Sequence, residues 1–429
     1  TMLAFAGAAA AQVTITNVAP RSGPVGGGTR VTITGSNLSD GFDTSVEIGG
    51  VLASIESQSP SSVTVLTPAQ PTAGVRDVVV TSVFGSATRV DGFRYTFDAA
   101  LKRQDRTTTG GSASGGTYEP SLSADGRHLA FTTTWDHVSG GALPANEIFV
   151  RDRAKEPGYA AGNLVRITAA PNGDAPDGPS GRPRISADGR LVAFWSDASN
   201  LVANDTNGQR DVFVHDRDVD ADGIFDEPGQ RVTIRVSVHS NGTQGNGPSG
   251  GNDLGLDLSP DGLWVAFGSA ATTLADGDSN GAADIFLHSV LDGETTRVSV
   301  ATAGTQANGA SRWPAVSRDG LLVAFASDAS NLVTGDLLGH RDVFVRDRLA
   351  GATLRLTQTA GGQEADGASD NPSIDDEGLA VVLQTNAKNL VDGLQTSTRS
   401  QVVVFSLRLG TLSGVSVPPG RVQAGVTNI

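Results

Sequence analysis

The chain has 429 residues, enough for two or three domains with separate cores, and its 38% hydrophobic and 18% charged content excludes an intrinsically disordered protein. Its formal net charge of -15, with no basic cluster, excludes a nucleic-acid partner, because such a partner requires a basic face. The lack of cysteine excludes a disulfide framework and a thiolate zinc site, and the 54 glycines indicate many tight turns.

Residues 1–12 are apolar and then alanine-rich, with small residues in an A-x-A arrangement before Gln12. They resemble the end of a secretory signal peptide, so we expect cleavage before Gln12 and an extracytoplasmic protein: secreted, at the cell surface or in the periplasm. An ordinary alanine-rich first strand or helix is the alternative, because the usual basic n-region is missing. No other stretch stays apolar over 18 residues, which predicts no transmembrane segment.

From residue 13 to residue 97, short apolar runs alternate with glycine and proline, which predicts a small β-sandwich. The predicted strands are Val13-Thr14-Ile15, Val31-Thr32-Ile33, Val46-Glu47-Ile48, Val63-Thr64-Val65 and Val78-Val79-Val80.

The same segment resembles the IPT/TIG domain family. The matching elements, in chain order, are Ile15, Pro20, Ser22-Gly23-Pro24, Gly27-Gly28-Thr29, Gly35, Gly49-Gly50, Thr67-Pro68-Ala69, Gly85 and Phe93-x-Tyr95. The resemblance implies an immunoglobulin-like sandwich over residues 13–97 and no particular activity. In bacterial surface proteins such domains serve as spacers or interaction modules.

Residues 98–429 contain an internal repeat, in which a Ser-x-Asp-Gly turn precedes an apolar strand. The five copies are Ser123-Ala124-Asp125-Gly126, Ser186-Ala187-Asp188-Gly189, Ser259-Pro260-Asp261-Gly262, Ser317-Arg318-Asp319-Gly320 and the degenerate Asp375-Asp376-Glu377-Gly378. Two further strands follow each copy. Because Asp-Gly suits a tight hairpin and the strands are apolar on both faces, each repeat predicts one four-stranded propeller blade. The blades are expected at about residues 120–168, 183–238, 254–300, 314–357 and 372–417.

This repeat resembles the TolB-like β-propellers, so the expected fold is an all-β chain: a sandwich followed by a five-bladed propeller. The segment from Leu101 to Arg106 resembles an outer strand that has no blade before it. The number of blades therefore stays open between a ring that closes at five and an incomplete six-bladed ring.

One loop carries the strongest signal for a metal site. Alternating carboxylates, a glycine and a further acid form an oxygen cage suited to Ca²⁺, with one backbone carbonyl as an additional ligand. The predicted ligands are Asp218, Asp220, Asp222, Ile224 (backbone carbonyl) and Asp226. The spacing resembles EF-hand and thrombospondin type-3 loops, but Gly229 stands where an EF-hand has its bidentate glutamate. The alternative is a solvated acidic hairpin tip.

A weaker pattern of Asp, Asn-Gly and Asp recurs in the second and third repeats. Its oxygen-bearing residues, which could bind one Ca²⁺ per blade, are Asp205, Asn207 and Asp211, then Asp278, Asn280 and Asp284. The alternative is a turn whose side chains satisfy their own backbone.

No motif predicts catalysis, and we identify no catalytic or cofactor-binding residue. His215 and His288 share one repeat position with Arg151 and Arg346, so we expect them at the surface or in turns. The rival function is a propeller enzyme, either polysaccharide lyase-like or hydrolase-like.

The sequence therefore predicts an extracellular or cell-surface scaffold or binding protein that is stabilised by Ca²⁺. A TolB-like periplasmic accessory protein is a third possibility. The expected partner is another protein or a second copy of the chain in a head-to-tail homopolymer, and a glycan is a further candidate.

Overall fold

The computed structural model describes residues 12–70, 72, 74–96, 115–138, 141–153, 164–391, 400–408 and 410–414. The chain divides into two compact units, residues 1–103 and 104–429. The predicted signal segment 1–11, the predicted outer strand 101–106 and residues 415–417 of the last predicted strand lie outside the described residues.

The first unit is a β-sandwich of two sheets, with strand orders β1-β3-β7-β6 and β2-β9-β8-β4-β5. Its strands are β1 (Thr14–Ala19), β2 (Ser22–Pro24), β3 (Arg30–Ser36), β4 (Ser45–Ile48), β5 (Val51–Leu52), β6 (Ser54–Ser59), β7 (Ser62–Leu66), β8 (Gly74–Ser82) and β9 (Gly85–Thr96). Valine and isoleucine at alternate positions fill the space between the sheets, as the period-2 pattern predicts. Phe93 and Tyr95 close the core, and the Tyr95 hydroxyl donates to the carbonyl of Pro68 at 2.8 Å.

The described residues of the second unit form five four-stranded antiparallel sheets, each built from four consecutive strands. Blade 1 comprises β10 (Thr117–Leu122), β11 (His128–Trp135), β12 (Ala142–Asp152) and β13 (Leu164–Arg166); blade 2 comprises β14 (Ser180–Ile185), β15 (Leu191–Ser196), β16 (Asp211–Asp216) and β17 (Val232–Arg235); blade 3 comprises β18 (Leu256–Leu258), β19 (Trp264–Ser269), β20 (Asp284–Ser289) and β21 (Thr295–Arg297); blade 4 comprises β22 (Ser311–Val316), β23 (Leu322–Ser327), β24 (Asp342–Asp347) and β25 (Ala352–Arg355); blade 5 comprises β26 (Ser369–Ile374), β27 (Ala380–Thr385), β28 (Gln401–Ser406) and β29 (Thr411–Gly414). Within the described residues, one four-residue helix, α1 (Gly251–Leu254), precedes blade 3.

The Ser-x-Asp-Gly turn joins the first two strands of each blade. In blade 1, Asp125 Oδ1 accepts the Ser123 hydroxyl at 2.6 Å and the Arg127 N–H at 2.9 Å. Ser123 Oγ accepts the N–H of His128, so the turn satisfies its own polar groups. In blade 5, Asp375 takes the place of the serine and accepts two backbone N–H groups.

Successive blades pack face to face through apolar side chains, with separate cores between blades 1 and 2, 2 and 3, 3 and 4, and 4 and 5. In blades 1 to 4 the second and third strands contribute a stacked phenylalanine pair, with ring centroids 5.8–6.4 Å apart. Burial of these rings on both sides of a sheet explains why the strands are apolar throughout.

Candidate metal centre

The predicted metal loop connects β16 to β17 in blade 2. Ala221 and Gly223 both have positive φ, 58° and 85°, which wraps the chain around the Asp218 side chain. The carboxylate of Asp218 accepts the N–H of Asp222 at 3.2 Å and that of Gly223 at 3.0 Å. Asp218 is buried and fixed, and it therefore forms the base of the loop.

Three of the predicted ligands converge. One carboxylate oxygen from each of Asp218, Asp220 and Asp222 lies within 4.8 Å of the other two. The pKa of Asp220 is raised, first by desolvation and then by the negative charge of Asp222 and contact with Asp218. A hard divalent cation would relieve this repulsion, and clustered carboxylate oxygens are the ligands that Ca²⁺ prefers.

Asp226 has a different role from the predicted one. Its two oxygens accept from the guanidinium of Arg217 at 3.0 and 2.5 Å, and Arg217 is only 2% exposed. Arg217 also donates to the carbonyl of Gly189 and lies over the ring of Phe225. Because the buried guanidinium needs a counter-charge, Asp226 is held against it and is not part of the three-carboxylate cluster.

Ile224 remains in the metal loop, adjacent to the cluster. Its N–H donates to Asp222 Oδ1 at 2.8 Å, and its side chain is exposed.

In the weaker pattern of blade 2, an arginine lies beside the predicted acids. Arg235, on β17, lies 2.7 Å from Asp205 Oδ1 and 3.3 Å from Asp211 Oδ2. The Asn207 amide donates to Asp211 at 2.8 Å, and Asn207 Oδ1 accepts the N–H of Gln209. The guanidinium is thus the cation between the two carboxylates, and Asn207 satisfies its own turn.

Blade 3 repeats this arrangement. Arg297 lies 3.5 Å from Asp278 and 3.7 Å from Asp284, while the Asn280 amide donates to Asp284 at 3.3 Å. The amide of Gln306 donates to both acids, at 2.7 and 3.2 Å.

Equivalent arginines occupy blades 4 and 1. In blade 4, Arg355 lies 3.1 Å from Glu364 and 3.7–3.8 Å from two aspartates, Asp336 and Asp342. In blade 1, Arg166 lies 2.8 Å from both Asp136 and Glu147. Desolvation raises the pKa of Glu147 to about 7 and those of the two blade-4 aspartates to about 6.

In blade 5, the described third-strand and fourth-strand positions of this cluster carry no charge. Gln401 pairs with Thr385 as Asp342 pairs with Ser327 in blade 4, so glutamine replaces the third-strand aspartate. Gly414 takes the strand position that Arg355 has in blade 4, so glycine replaces the arginine. The arginine that recurs in the fourth strand is visible in the sequence and could have indicated this cluster. Sequence spacing alone does not show that it contacts acids on other strands.

The two histidines of the repeat are buried, which corrects the expectation of a surface position. His215 and His288 are 5% and 3% exposed, and each Nδ1 lies 2.8 Å from a threonine hydroxyl, Thr233 and Thr295 respectively. Desolvation lowers the pKa of each imidazole to about 4, so both are neutral at pH 7. At the equivalent position Arg346 donates to Thr353, which indicates a shared packing role.

In the described part of the chain, no helix is both long enough and apolar enough to cross a bilayer.

Comparison with known proteins identifies the first unit. Residues 13–97 match the family model of the IPT/TIG domain. Plexin-2 of Caenorhabditis elegans is 43% identical over 84 residues, which are 19% of this chain and 5% of that protein. The chain therefore spans about one twentieth of the length of this relative.

Two solved structures are similar to parts of the chain. The extracellular region of Plexin A4 is 29% identical, with a TM-score of 0.19 over 20% of this chain and 9% of that one. A putative TolB from Agrobacterium tumefaciens is 14% identical, with a TM-score of 0.39 over 70% of this chain and 80% of that one.

Proposed function

We propose that this chain, an IPT/TIG domain followed by a propeller with five described blades, is an extracytoplasmic, non-catalytic binding protein or scaffold stabilised by Ca²⁺. The IPT/TIG match and the similarity to plexins support an extracellular role in protein–protein interaction. The expected partner is a protein, and the likeness to plexins is confined to the first unit.

One observation carries the calcium part of the proposal: within the described residues, the cluster of Asp218, Asp220 and Asp222 lacks the arginine that the other acid clusters have. In these other clusters, which belong to blades 1 to 4, an arginine of the fourth strand lies beside the carboxylates. Among the described residues, no basic side chain forms an ion pair with Asp218, Asp220 or Asp222. These three carboxylates therefore need a cation from solution to relieve their repulsion.

The position of the loop indicates what an ion there would stabilise. Phe225, just beyond the cluster, packs on His128 of blade 1 with centroids 5.2 Å apart. Asp226 holds Arg217, which reaches Gly189 in the turn of blade 2. Fixing the three carboxylates would fix the start of this loop, and with it the contact between blades 1 and 2.

Calorimetric titration of the full chain with Ca²⁺ tests this proposal. We expect the wild type to bind one ion and Asp222→Asn to bind at least about tenfold more weakly, because one anionic ligand is lost. Asp276→Asn, which removes an exposed carboxylate outside the cluster, is the matched control and should bind like the wild type. Equal binding by wild type and Asp222→Asn would contradict the assignment.

The non-catalytic part of the proposal is supported by the packing of the repeat histidines. Both are neutral and buried, and the Thr295 hydroxyl bonded to His288 donates to the carbonyl of Val238 in the preceding repeat. We therefore expect no turnover of polysaccharide, peptide or ester substrates. A turnover that a single point substitution abolishes would refute this part.

Self-assembly and glycan binding also stay proposals. The edge strand expected at residues 101–106, which motivated head-to-tail assembly, lies outside the described residues.

A further inference from the structure

The first strands of successive blades contact one another, and they share an unusual backbone conformation. One residue in or next to each strand has positive φ. These residues are Glu119 (55°), Arg182 (54°), Gly255 (82°), Trp313 (53°) and Asn371 (49°). The strand pairing shifts register at this point in blades 1, 2, 4 and 5.

A left-handed conformation is costly for any residue with a Cβ atom, and glycine relieves that cost. Blade 3 uses glycine, where a Cβ atom would lie 2.9 Å from the backbone of Trp313. The four other blades keep a large side chain at the strained position, so each side chain should contribute something that glycine cannot.

Internal contacts account for three of these four side chains. Glu119 accepts the Thr132 hydroxyl at 2.9 Å and a backbone N–H of blade 2 at 2.6 Å. The indole of Trp313 donates to the carbonyl of Asn252 at 3.1 Å and has two guanidinium groups over its ring. The amide of Asn371 donates to Gln384 at 3.0 Å.

Arg182 is the exception. Its guanidinium makes one long hydrogen bond, 3.3 Å from Nη1 to the carbonyl of Asn252. No carboxylate among the described residues forms an ion pair with it. The neighbouring Arg184 has such a partner, Asp257, at 3.4 Å. Desolvation and then the charge of Arg184 lower the pKa of Arg182, although the charges of Glu119 and Asp257 act in the opposite direction.

Arg182 lines a cavity of about 180 Å³ between the first strands of blades 2 to 5. Its charged lining also includes the Arg184–Asp257 ion pair, so Arg182 is the lining charge without an ion-pair partner among the described residues. Trp313, Pro314 and Pro372 contribute apolar surface, and Asn371 and Ser373 contribute polar groups. The cavity is large enough for a group the size of one aromatic ring. A guanidinium with free donors beside an aromatic wall matches an oxyanion attached to a compact apolar body.

We propose that this cavity binds a small organic carboxylate, with Arg182 donating to the carboxylate and Trp313 contacting its apolar body. The site is independent of the calcium proposal, because none of the three loop carboxylates lines this cavity. The left-handed backbone at Arg182 is then retained because it directs the guanidinium towards the ligand.

Titration with benzoate, phenyl phosphate and benzyl alcohol tests this site in the full chain. We expect benzoate to bind with a Kd of about 1 mM or tighter, and benzyl alcohol, which lacks the anion, to bind at least about tenfold more weakly. No benzoate binding up to about 10 mM, or equal binding of the alcohol, would overturn the proposal. Tighter binding of phenyl phosphate than of benzoate would assign the site to phosphates instead of carboxylates.

Two variants separate ligand recognition from folding. Arg182→Gln should weaken benzoate binding at least about tenfold, whereas Arg231→Gln, an exposed arginine in blade 2, should bind like the wild type. Arg182→Gly should also lose binding but melt at a higher temperature than Arg182→Gln, because glycine relieves the left-handed backbone. Unchanged benzoate affinity in either Arg182 variant would contradict the site.

Discussion

An arginine between acidic side chains recurs at one position in four blades of the propeller, with a side-chain exposure of 4–24%. The acids belong to a loop and to the third strand, whereas the arginine belongs to the fourth, 24 residues after Asp211 in blade 2. Sequence spacing shows the acids as a compact pattern and leaves the arginine distant. Only the antiparallel pairing, which aligns Phe213 with Arg235, brings the two together.

The acid cluster of blade 1 predicts a pH dependence of stability. The folded-state pKa of Glu147 is raised from 4.5 to about 7, chiefly by desolvation, although Arg166 lowers it. The folded state therefore holds this proton more tightly, and the free energy of unfolding should fall as pH rises between the two values.

Glu147→Gln removes this titration. Relative to that variant, the wild type should lose on the order of 2 kcal/mol between pH 5 and pH 8 in urea unfolding. Glu294→Gln, at an exposed position, is the control and should follow the wild type. A difference between wild type and Glu147→Gln that is constant with pH would show that Glu147 is not perturbed.

At the scale of single elements, the Asp-Gly turn also joins neighbouring blades. Gly320 has φ of 67°, and a Cβ atom there would lie 2.5 Å from the Trp264 ring of the preceding blade. Glycine is required both by the left-handed backbone and by this close approach.

Gly320→Ala should destabilise the protein by about 2–4 kcal/mol, combining the backbone cost with overpacking against Trp264. Gly281→Ala is the matched control, since φ is 65° and nothing lies within 4 Å of the added Cβ atom. It should cost about 1 kcal/mol. Denaturant unfolding compares the two, and equal losses would mean that the blades do not meet at this turn.

Two acids of the blade-2 metal loop should respond differently to substitution, because one pairs with Arg217 and the other belongs to the carboxylate cluster. Asp226→Asn should lower stability by about 3 kcal/mol in chelator, because it weakens the pairing of buried Arg217, while Ca²⁺ binding persists. Asp220→Asn should instead weaken Ca²⁺ binding and leave stability in chelator nearly unchanged. Unfolding and titration experiments distinguish the two. Loss of Ca²⁺ binding in Asp226→Asn, with stability in chelator unchanged, would show that Asp226 is a ligand.

The sequence predicted these elements to different degrees. The alternation in Val31-Thr32-Ile33 and the repeated turn were sufficient to predict β3 and the blades, since both depend on local patterns. The roles of Asp226 and the two histidines were not predicted, because they depend on partners from other strands and on burial between blades. The left-handed residues of the first strands gave no clear signal, since three of them are ordinary charged or aromatic residues followed by proline.

For the whole molecule, the last blade differs from the others. Val382 is 40% exposed, whereas the alanines at the same turn-relative position in blades 1 to 4 are fully buried: Ala130, Ala193, Ala266 and Ala324. Blade 5 also has leucine and valine, Leu383 and Val403, in place of the phenylalanine pair. The sequence correctly showed the fifth repeat as degenerate. It could not show which face of this blade is buried against another blade and which is exposed.

The outer strand expected at residues 101–106, which has no blade before it, predicts self-association of the chain. We expect the mean mass from light scattering to rise with concentration across the micromolar range, because an unpaired strand edge accepts another chain. Isolation of a strictly monomeric species over that range would rule out assembly and leave the binding function unaffected.

The calcium site is the claim on which this account depends most, and a crystal structure grown with Ca²⁺ tests it directly. We predict an anomalous difference peak at about 2.3–2.6 Å from carboxylate oxygens of Asp218, Asp220 and Asp222, with Asp226 still paired to Arg217. Carboxylates that contact only water in such a crystal, with no peak among them, would contradict the account.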